Sequence, residues 1–149
     1  MKSKIFLALL ACTLLAACDR VDPDSPLGKR QALFKDMLRT SEDLGGMLRG
    51  RLSFNEKRFA EGATRLDELS RQPWQHFPQA QDSADHSQAR DEVWQRHERF
   101  QQMARELEAA TAELRTAAQA RPLQAEALVA PVDKVEAACK ACHEEFRIY

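Results

Sequence analysis

One motif near the C-terminus constrains this chain more than any other feature. Cys139 and Cys142 are separated by two residues, and His143 follows directly. Two thiols at this spacing can add to the vinyl groups along one edge of a haem, and the imidazole can then ligate the iron. The motif predicts one covalently attached haem c, with Cys139 and Cys142 holding the porphyrin and His143 binding the metal.

Other uses of a Cys-x-x-Cys pair fit this chain less well. Zinc needs about four ligands, and the sequence has no second Cys/His pair at a suitable spacing. A thioredoxin-like redox pair belongs to a βαβ pattern, which the sequence lacks. A plain disulfide between Cys139 and Cys142 stays open as the haem-free alternative.

The N-terminus has the features of an export signal. Lys2 and Lys4 flank the start of an uncharged apolar run over 5–17, which is too short for a permanent membrane helix. The Leu-Ala-Ala-Cys run that ends at Cys18 resembles a bacterial lipobox, so Cys18 is expected to carry lipid. An ordinary cleaved signal is the alternative.

These features divide the chain into three parts. We expect a lipoprotein-type signal peptide over 1–17, a polar tether over 18–26 and one domain over 27–149. The formal net charge is −1, and removal of the two signal lysines leaves −1 − 2 = −3. A small negative net charge does not indicate nucleic-acid binding. The expected location is the periplasm, with the domain anchored to a membrane.

Apolar residues that recur every three or four positions predict four amphipathic helices. We expect helix A over 26–49, helix B over 56–72, helix C over 90–120 and helix D from Pro122 onwards. Residues 73–88 are expected to form a long loop whose aromatic side chains fold back onto the core.

Four such helices predict an all-α, antiparallel, up-down four-helix bundle with the haem near the C-terminus. Cys139 and Cys142 lie one turn apart on the apolar face of helix D, so their thioethers should point into the bundle. His97 lies on the apolar stripe of helix C and is expected to be an interior or boundary residue rather than a ligand. Pro131 is expected to kink or interrupt helix D.

This combination resembles the cytochrome c′ family, the class II c-type cytochromes. A haem motif in the last of four helices is unusual among other c-type cytochromes, which carry it near the N-terminus. The likeness covers 27–149, and its most specific part is the run Ala-Cys-Lys-Ala-Cys-His-Glu-Glu-Phe-Arg over 138–147. Further matches are 30–37, 44–50, Phe54, 69–78, Val93 with Trp94, and Phe100.

The resemblance implies a role for Phe34 on the distal side of the iron. In this family a residue one turn after a helix A arginine faces that side, and counting four from Arg30 leads to Phe34. Low-spin members have Met there, whereas high-spin members have Leu, Phe or a similar residue that cannot ligate. Phe34 therefore implies five-coordinate, high-spin iron in an apolar pocket that admits nitric oxide and carbon monoxide. Met37, one turn further on, is the competing sixth ligand.

Two arginines have support roles by the same resemblance. Arg147 follows His143 by four residues and is expected beside the imidazole, where a cation tunes the axial bond. Arg30 is expected to reach a haem propionate at the edge of the bundle. A solvated surface position is the alternative for each.

The implied function is gas binding, together with one-electron exchange with an unidentified donor or acceptor. One alternative is a low-spin electron carrier with Met37, or less favourably Met47, as sixth ligand. The other is a haem-free helical lipoprotein with a Cys139–Cys142 disulfide. The resemblance allows a homodimer through helices A and B. An enzyme in the strict sense is not expected, because no nucleophile–base set or catalytic carboxylate pair stands out.

Overall fold

The structure is a computed structural model that describes residues 21–78 and 87–149. The predicted signal peptide, Cys18 and part of the predicted loop lie outside the described residues. None of the described helices is long and apolar enough to span a membrane. The helices are α1 (Pro26–Leu48), α2 (Glu56–Ser70), a 3₁₀ helix (Pro73–His76), α3 (Glu92–Gln95), α4 (His97–Ala117) and α5 (Glu126–Phe146).

Four long helices, α1, α2, α4 and α5, form the bundle. Helix α1 packs against α2 and α5, and α4 packs against the same two neighbours, so the four helices enclose one core. The predicted all-α four-helix bundle is confirmed, with the cysteine-bearing helix last in the chain. The predicted boundaries at 17 and 26 stay predictions, although the described part of the tether forms a turn in which Ser25 Oγ donates to the Asp22 carbonyl.

Local capping signals explain where the first two helices begin and end. The Ser25 hydroxyl accepts from the Gly28 N–H at 3.0 Å at the start of α1, and Asn55 Oδ1 accepts from the Arg58 N–H at 2.9 Å at the start of α2. Gly50 follows the end of α1 with φ of 72°, a conformation that suits glycine. Both predicted N-termini are confirmed, and α2 ends two residues earlier than expected.

The predicted helix C is broken at Arg96. Arg96 has φ of −119° and ψ of 44°, which separates α3 from α4. Val93 and Phe100 are buried on either side of the break, and because they are seven residues apart, their spacing suits a continuous helix equally well. His97 now begins α4 as an exposed residue whose ring contacts the Gln101 amide at 2.8 Å, so its expected place on the apolar stripe is wrong.

The last helix differs from its prediction at both prolines. It begins at Glu126 rather than at Pro122, although Leu123 in the preceding turn is already buried in the core. Pro131 lies inside the helix without interrupting it. Pro131 has no N–H to donate to the Ala127 carbonyl four residues earlier. Because Ala127 is exposed, water can donate to that carbonyl instead.

The buried side chains form two clusters. The main core lies between the four long helices and takes its largest side chains from all of them. The second cluster is centred on Val93, Phe100, Met103 and Phe146, with Trp74, Phe77 and Trp94 packed against it. Trp74 packs against both clusters, so the aromatic residues of the predicted loop do fold back onto the core.

One charged group inside the bundle was not predicted. The carboxylate of Asp67 in α2 is almost fully buried and lies 2.9 Å from the guanidinium of Arg115 in α4. It also accepts from Arg71 at 2.7 Å and from the Thr111 hydroxyl at 3.3 Å. Because its charge and hydrogen-bonding capacity are matched by these donors, Asp67 ties α2 to α4.

We predict that Asp67→Ala lowers the free energy of unfolding by about 3 kcal/mol, because Arg115 and Arg71 lose a buried partner. Asp43→Ala is the matched control. Asp43 pairs with Arg58 on the surface, where both side chains are more than half exposed, so its loss should cost less than about 1 kcal/mol. Urea unfolding of both variants measures the difference, and equal losses would contradict a structural role for Asp67.

Candidate haem site

The two cysteines lie where the two buried clusters meet. Cys139 packs against the main core, whereas Cys142, one turn later on the same face of α5, packs against the second cluster. Both thiols are half-buried, and neither forms a disulfide. The sequence-based expectation that both sulfurs point into the bundle agrees with these positions.

Burial keeps both thiols protonated in the haem-free chain. Loss of hydration raises the pKa of Cys142 to about 11, and the neighbouring Cys139 and Glu145 add to the effect. Burial also raises the pKa of Cys139, with a smaller contribution from the Glu136 carboxylate. The folded chain therefore presents neutral thiols rather than reactive thiolates.

His143 is half-buried at the end of α5. Burial lowers its pKa below the usual range, and the positive charge of Arg147 lowers it further. Both effects favour the neutral imidazole, which is the form that ligates iron. The position of His143 thus suits the metal-ligand role predicted from the motif.

A series of aromatic ring contacts connects α1 to the cysteine-bearing helix. The Phe34 ring of α1 meets Trp74 and Phe77 edge-on, with ring centroids 5.9 and 6.4 Å apart. Phe77 and Trp74 in turn meet Phe100 at 4.8 and 5.8 Å, and Phe100 meets Phe146 at 5.4 Å. These contacts connect the predicted distal residue to the cluster that holds Cys142.

Arg30 is buried, so the alternative of a solvated surface arginine is wrong. Its guanidinium donates to the His76 carbonyl at 3.0 Å and to the Ser87 hydroxyl at 3.2 Å, and it stacks over Phe77 at 4.8 Å. Arg30 therefore joins α1 to both ends of the loop between the helix pairs. A buried cation beside the aromatic rings suits the anionic propionate expected from the resemblance.

Met37 and Met47 lie in the main core. Each is buried there among the side chains that hold the four helices together. Phe34, by contrast, is half-buried at the edge of this core and contacts the rings of Trp74 and Phe77. The positions agree with a packing role for both methionines.

Arg147 lies just past the last turn of α5, near His143 as the resemblance implied. Its N–H donates to the His143 carbonyl at 3.0 Å, but its own backbone is extended. Its guanidinium donates to Gln88 Oε1 from Nε at 3.1 Å and from Nη2 at 2.8 Å. Sequence reasoning did not identify Gln88 as a partner of Arg147, because 59 residues separate the two.

Two ion pairs hold α5 on either side of the cysteines. Glu136 accepts from Arg49 in two hydrogen bonds of 2.8 and 3.2 Å, and the Arg49 guanidinium lies so close to Gly45 that a Cβ there would clash with it. Glu145 accepts from Arg99 at 2.9 Å, which lowers the pKa of that carboxyl. Sequence reasoning missed both pairs, since neither has a local spacing signal.

The residues present fit a covalently held haem. Two separate thiols and a neutral imidazole occur at the required spacing, and Arg30 supplies a cation nearby. The buried indole nitrogen of Trp74 has no hydrogen-bond acceptor among the described residues, and a haem carboxylate could satisfy such a donor. The described part of the chain has no cluster of three or more His, Cys, Asp or Glu side chains that could hold a metal ion on their own.

The family model for cytochrome c′ matches residues 25–147, which is most of the chain. The chain belongs to the cytochrome c′ family. Its cofactor is therefore haem c, as the Cys-x-x-Cys-His motif predicts, and the haem-free alternative is wrong. A comparison with curated proteins gives no match.

Solved structures agree with the family. The cytochrome c′ of Rubrivivax gelatinosus is 25% identical, with a TM-score of 0.76 over 84% of this chain and 98% of that one. The Shewanella frigidimarina protein is 24% identical, with a TM-score of 0.79 over 88% and 100%. Two variants of the Alcaligenes xylosoxidans protein are 23% identical with TM-scores of 0.75, over 88% of this chain and 99% or 100% of theirs. One is a leucine-to-alanine variant with nitric oxide, and the other is a leucine-to-glycine variant with carbon monoxide.

The raised thiol pKa predicts slow alkylation of the haem-free chain. In the haem-free chain with Cys139 intact, the reaction of Cys142 with iodoacetamide should accelerate about tenfold per pH unit up to a pH of about 11. In the same chain unfolded in urea, the acceleration should end near the ordinary thiol pKa of about 8.5. Mass spectrometry of timed samples gives both profiles.

The same shift has a defined sign for stability. Because folding raises the pKa of Cys142, its stabilising contribution is complete below the unfolded pKa of about 8.5 and is lost as pH rises through about 11. If the alkylation rate of Cys142 stopped rising at the same pH in the folded and unfolded chains, the burial assigned to this thiol would be wrong.

Proposed function

We propose that this chain is a gas-binding haem protein whose iron is five-coordinate, with Phe34 in place of a sixth protein ligand. The observation that carries the proposal is the position of Phe34 against Trp74 and Phe77, while both helix α1 methionines are buried in the main core. The nitric oxide and carbon monoxide complexes of the Alcaligenes xylosoxidans protein support these two gases as ligands.

The residues divide into those that hold the cofactor and those that select the ligand. When bound, the haem supplies an iron coordination site and a one-electron couple. Cys139 and Cys142 would hold the ring to α5, and His143 would supply its neutral imidazole to the metal. Arg30 would supply a positive charge and Trp74 an N–H donor for the propionates.

Phe34 selects small neutral ligands through its size and lack of donor atoms. Its ring is held edge-on by Trp74 and Phe77, so an entering ligand has to displace it against these contacts. Water and ions lose hydration on entering such an apolar site, whereas nitric oxide and carbon monoxide lose almost none. The aromatic surroundings therefore favour these gases over polar ligands.

The visible spectrum tests the proposal directly. Five-coordinate high-spin iron gives broad bands, whereas methionine ligation gives sharp α and β bands and a sulfur–iron charge-transfer band. The haem should also survive acid–acetone extraction, because the Cys139 and Cys142 thioethers are covalent. A sharp low-spin spectrum that Met37→Ala converts to a high-spin one would identify Met37 as the ligand and the protein as an electron carrier.

We predict opposite effects for two substitutions of Phe34. Phe34→Met should place a thioether on the distal side and convert the spectrum to low-spin. Phe34→Ala should speed carbon monoxide binding at least about tenfold, because two aromatic contacts of roughly 1 kcal/mol each no longer oppose entry. Met37→Leu, which conserves volume in the main core, is the control and should leave spectrum and rate unchanged. Stopped-flow absorbance measures the rates.

We also propose that the protein is exported to the periplasm and anchored through a lipid on Cys18. The apolar run and the Leu-Ala-Ala-Cys sequence support this location. Two or three acyl chains on one cysteine would hold the domain firmly at a membrane. The electron partner and the homodimer stay predictions.

We predict that the protein partitions into the detergent phase after Triton X-114 separation and that Cys18→Ser moves it to the aqueous phase or blocks its processing. Haem attachment should not change in a correctly exported Cys18→Ser variant, because the haem motif lies at the other end of the chain. A mature N-terminus other than Cys18, found by mass spectrometry, would rule out the anchor.

A further inference from the structure

The C-terminal residues of the chain are clasped by a segment that precedes α3. Ala89 and Arg147 form an antiparallel bridge, in which the Arg90 N–H donates to the Phe146 carbonyl at 2.9 Å and the Ile148 N–H donates to the Gln88 carbonyl at 2.8 Å. We call residues 88–90 and 146–148 the C-terminal clasp. It fixes the backbone of Gln88 beside the end of α5.

The clasp brings one neutral acceptor to one cation. Gln88 Oε1 accepts from both Nε and Nη2 of Arg147, at 3.1 and 2.8 Å. The Arg147 carbonyl also accepts from Arg90 Nε at 2.9 Å, so backbone and side chain of Arg147 are both held. An amide oxygen orients the guanidinium without cancelling its charge, which a carboxylate in the same place would do.

The held cation belongs to the residue one helical turn after His143. The Arg147 N–H donates to the His143 carbonyl at 3.0 Å, so both residues lie at the same end of α5. A cation beside a ligating imidazole withdraws electron density from the ring, weakens the bond to iron and favours the reduced metal. The strength of this effect depends on where the guanidinium is held.

We propose that Gln88 is a positioning residue, which holds the Arg147 guanidinium as an uncancelled cation beside His143 and thereby sets the strength of the bond between His143 and iron. The inference rests on the proposed function, since it requires His143 as the iron ligand. Gln88 lies outside the haem motif, in a different part of the chain, and would join the residues that influence the iron.

Gln88→Glu is the decisive variant, because it keeps the size and the acceptor but adds a negative charge. We expect the iron–imidazole stretching band of the ferrous protein to move to higher frequency and the midpoint potential, measured at a fixed pH of about 7, to move lower. Gln88→Leu, which lets the guanidinium move away, should shift both in the same direction by less. Gln95→Glu is the matched control, since Gln95 is exposed on α3 and the same charge there should move neither.

The outcomes separate this inference from the proposed function. If the wild-type protein has a five-coordinate spectrum but Gln88→Glu behaves like Gln95→Glu, the positioning role is overturned and the proposed function stands. If Gln88→Glu shifts the band but Gln88→Leu does not, Gln88 lies near the cation without holding it, and the role is likewise overturned. If the wild type shows no iron–imidazole band, both proposals fail. Thermal unfolding of the two Gln88 variants within a few degrees of the wild type identifies the shifts as local to the site.

Discussion

Attaching a rigid planar ring through two thiols of one helix is the constraint that the rest of this structure serves. Both sulfurs reach the same ring edge only while α5 keeps its helical turn between them. That turn has an ion pair on each side, one between Glu136 and Arg49 just after α1 and one between Glu145 and Arg99 in α4. The two pairs link α5 to its neighbours near the point of attachment.

The two sides of the site are held by different kinds of interaction. Near His143, directional hydrogen bonds of the C-terminal clasp and the charge of Arg147 fix the geometry. Around Phe34, edge-on contacts with Trp74 and Phe77 dominate, and each is individually weak. The Phe34 ring can therefore move aside without breaking a hydrogen bond, whereas the hydrogen bonds of the C-terminal clasp hold the backbone that follows His143.

Local signals in the sequence predicted much of this arrangement. The caps Ser25 and Asn55, the apolar stripes and the haem motif each depend on neighbouring residues, and each lies at its predicted position. The break at Arg96 and the burial of Asp67 were missed because they depend on contacts with other helices. Gln88 was missed for the same reason, since an amide residue before a helix carries no pattern that indicates a partner near the C-terminus.

The burial of Cys139 and Cys142 also orders the events by which the protein matures. Thioether formation requires access to both sulfurs, and the closed bundle half-buries them and keeps them as protonated, less reactive thiols. We therefore expect covalent loading to take place in the still open chain, before the four helices close around the attached ring. A chain that folds too early would be a poor substrate for loading, so slow closure of the bundle favours a complete yield of holoprotein.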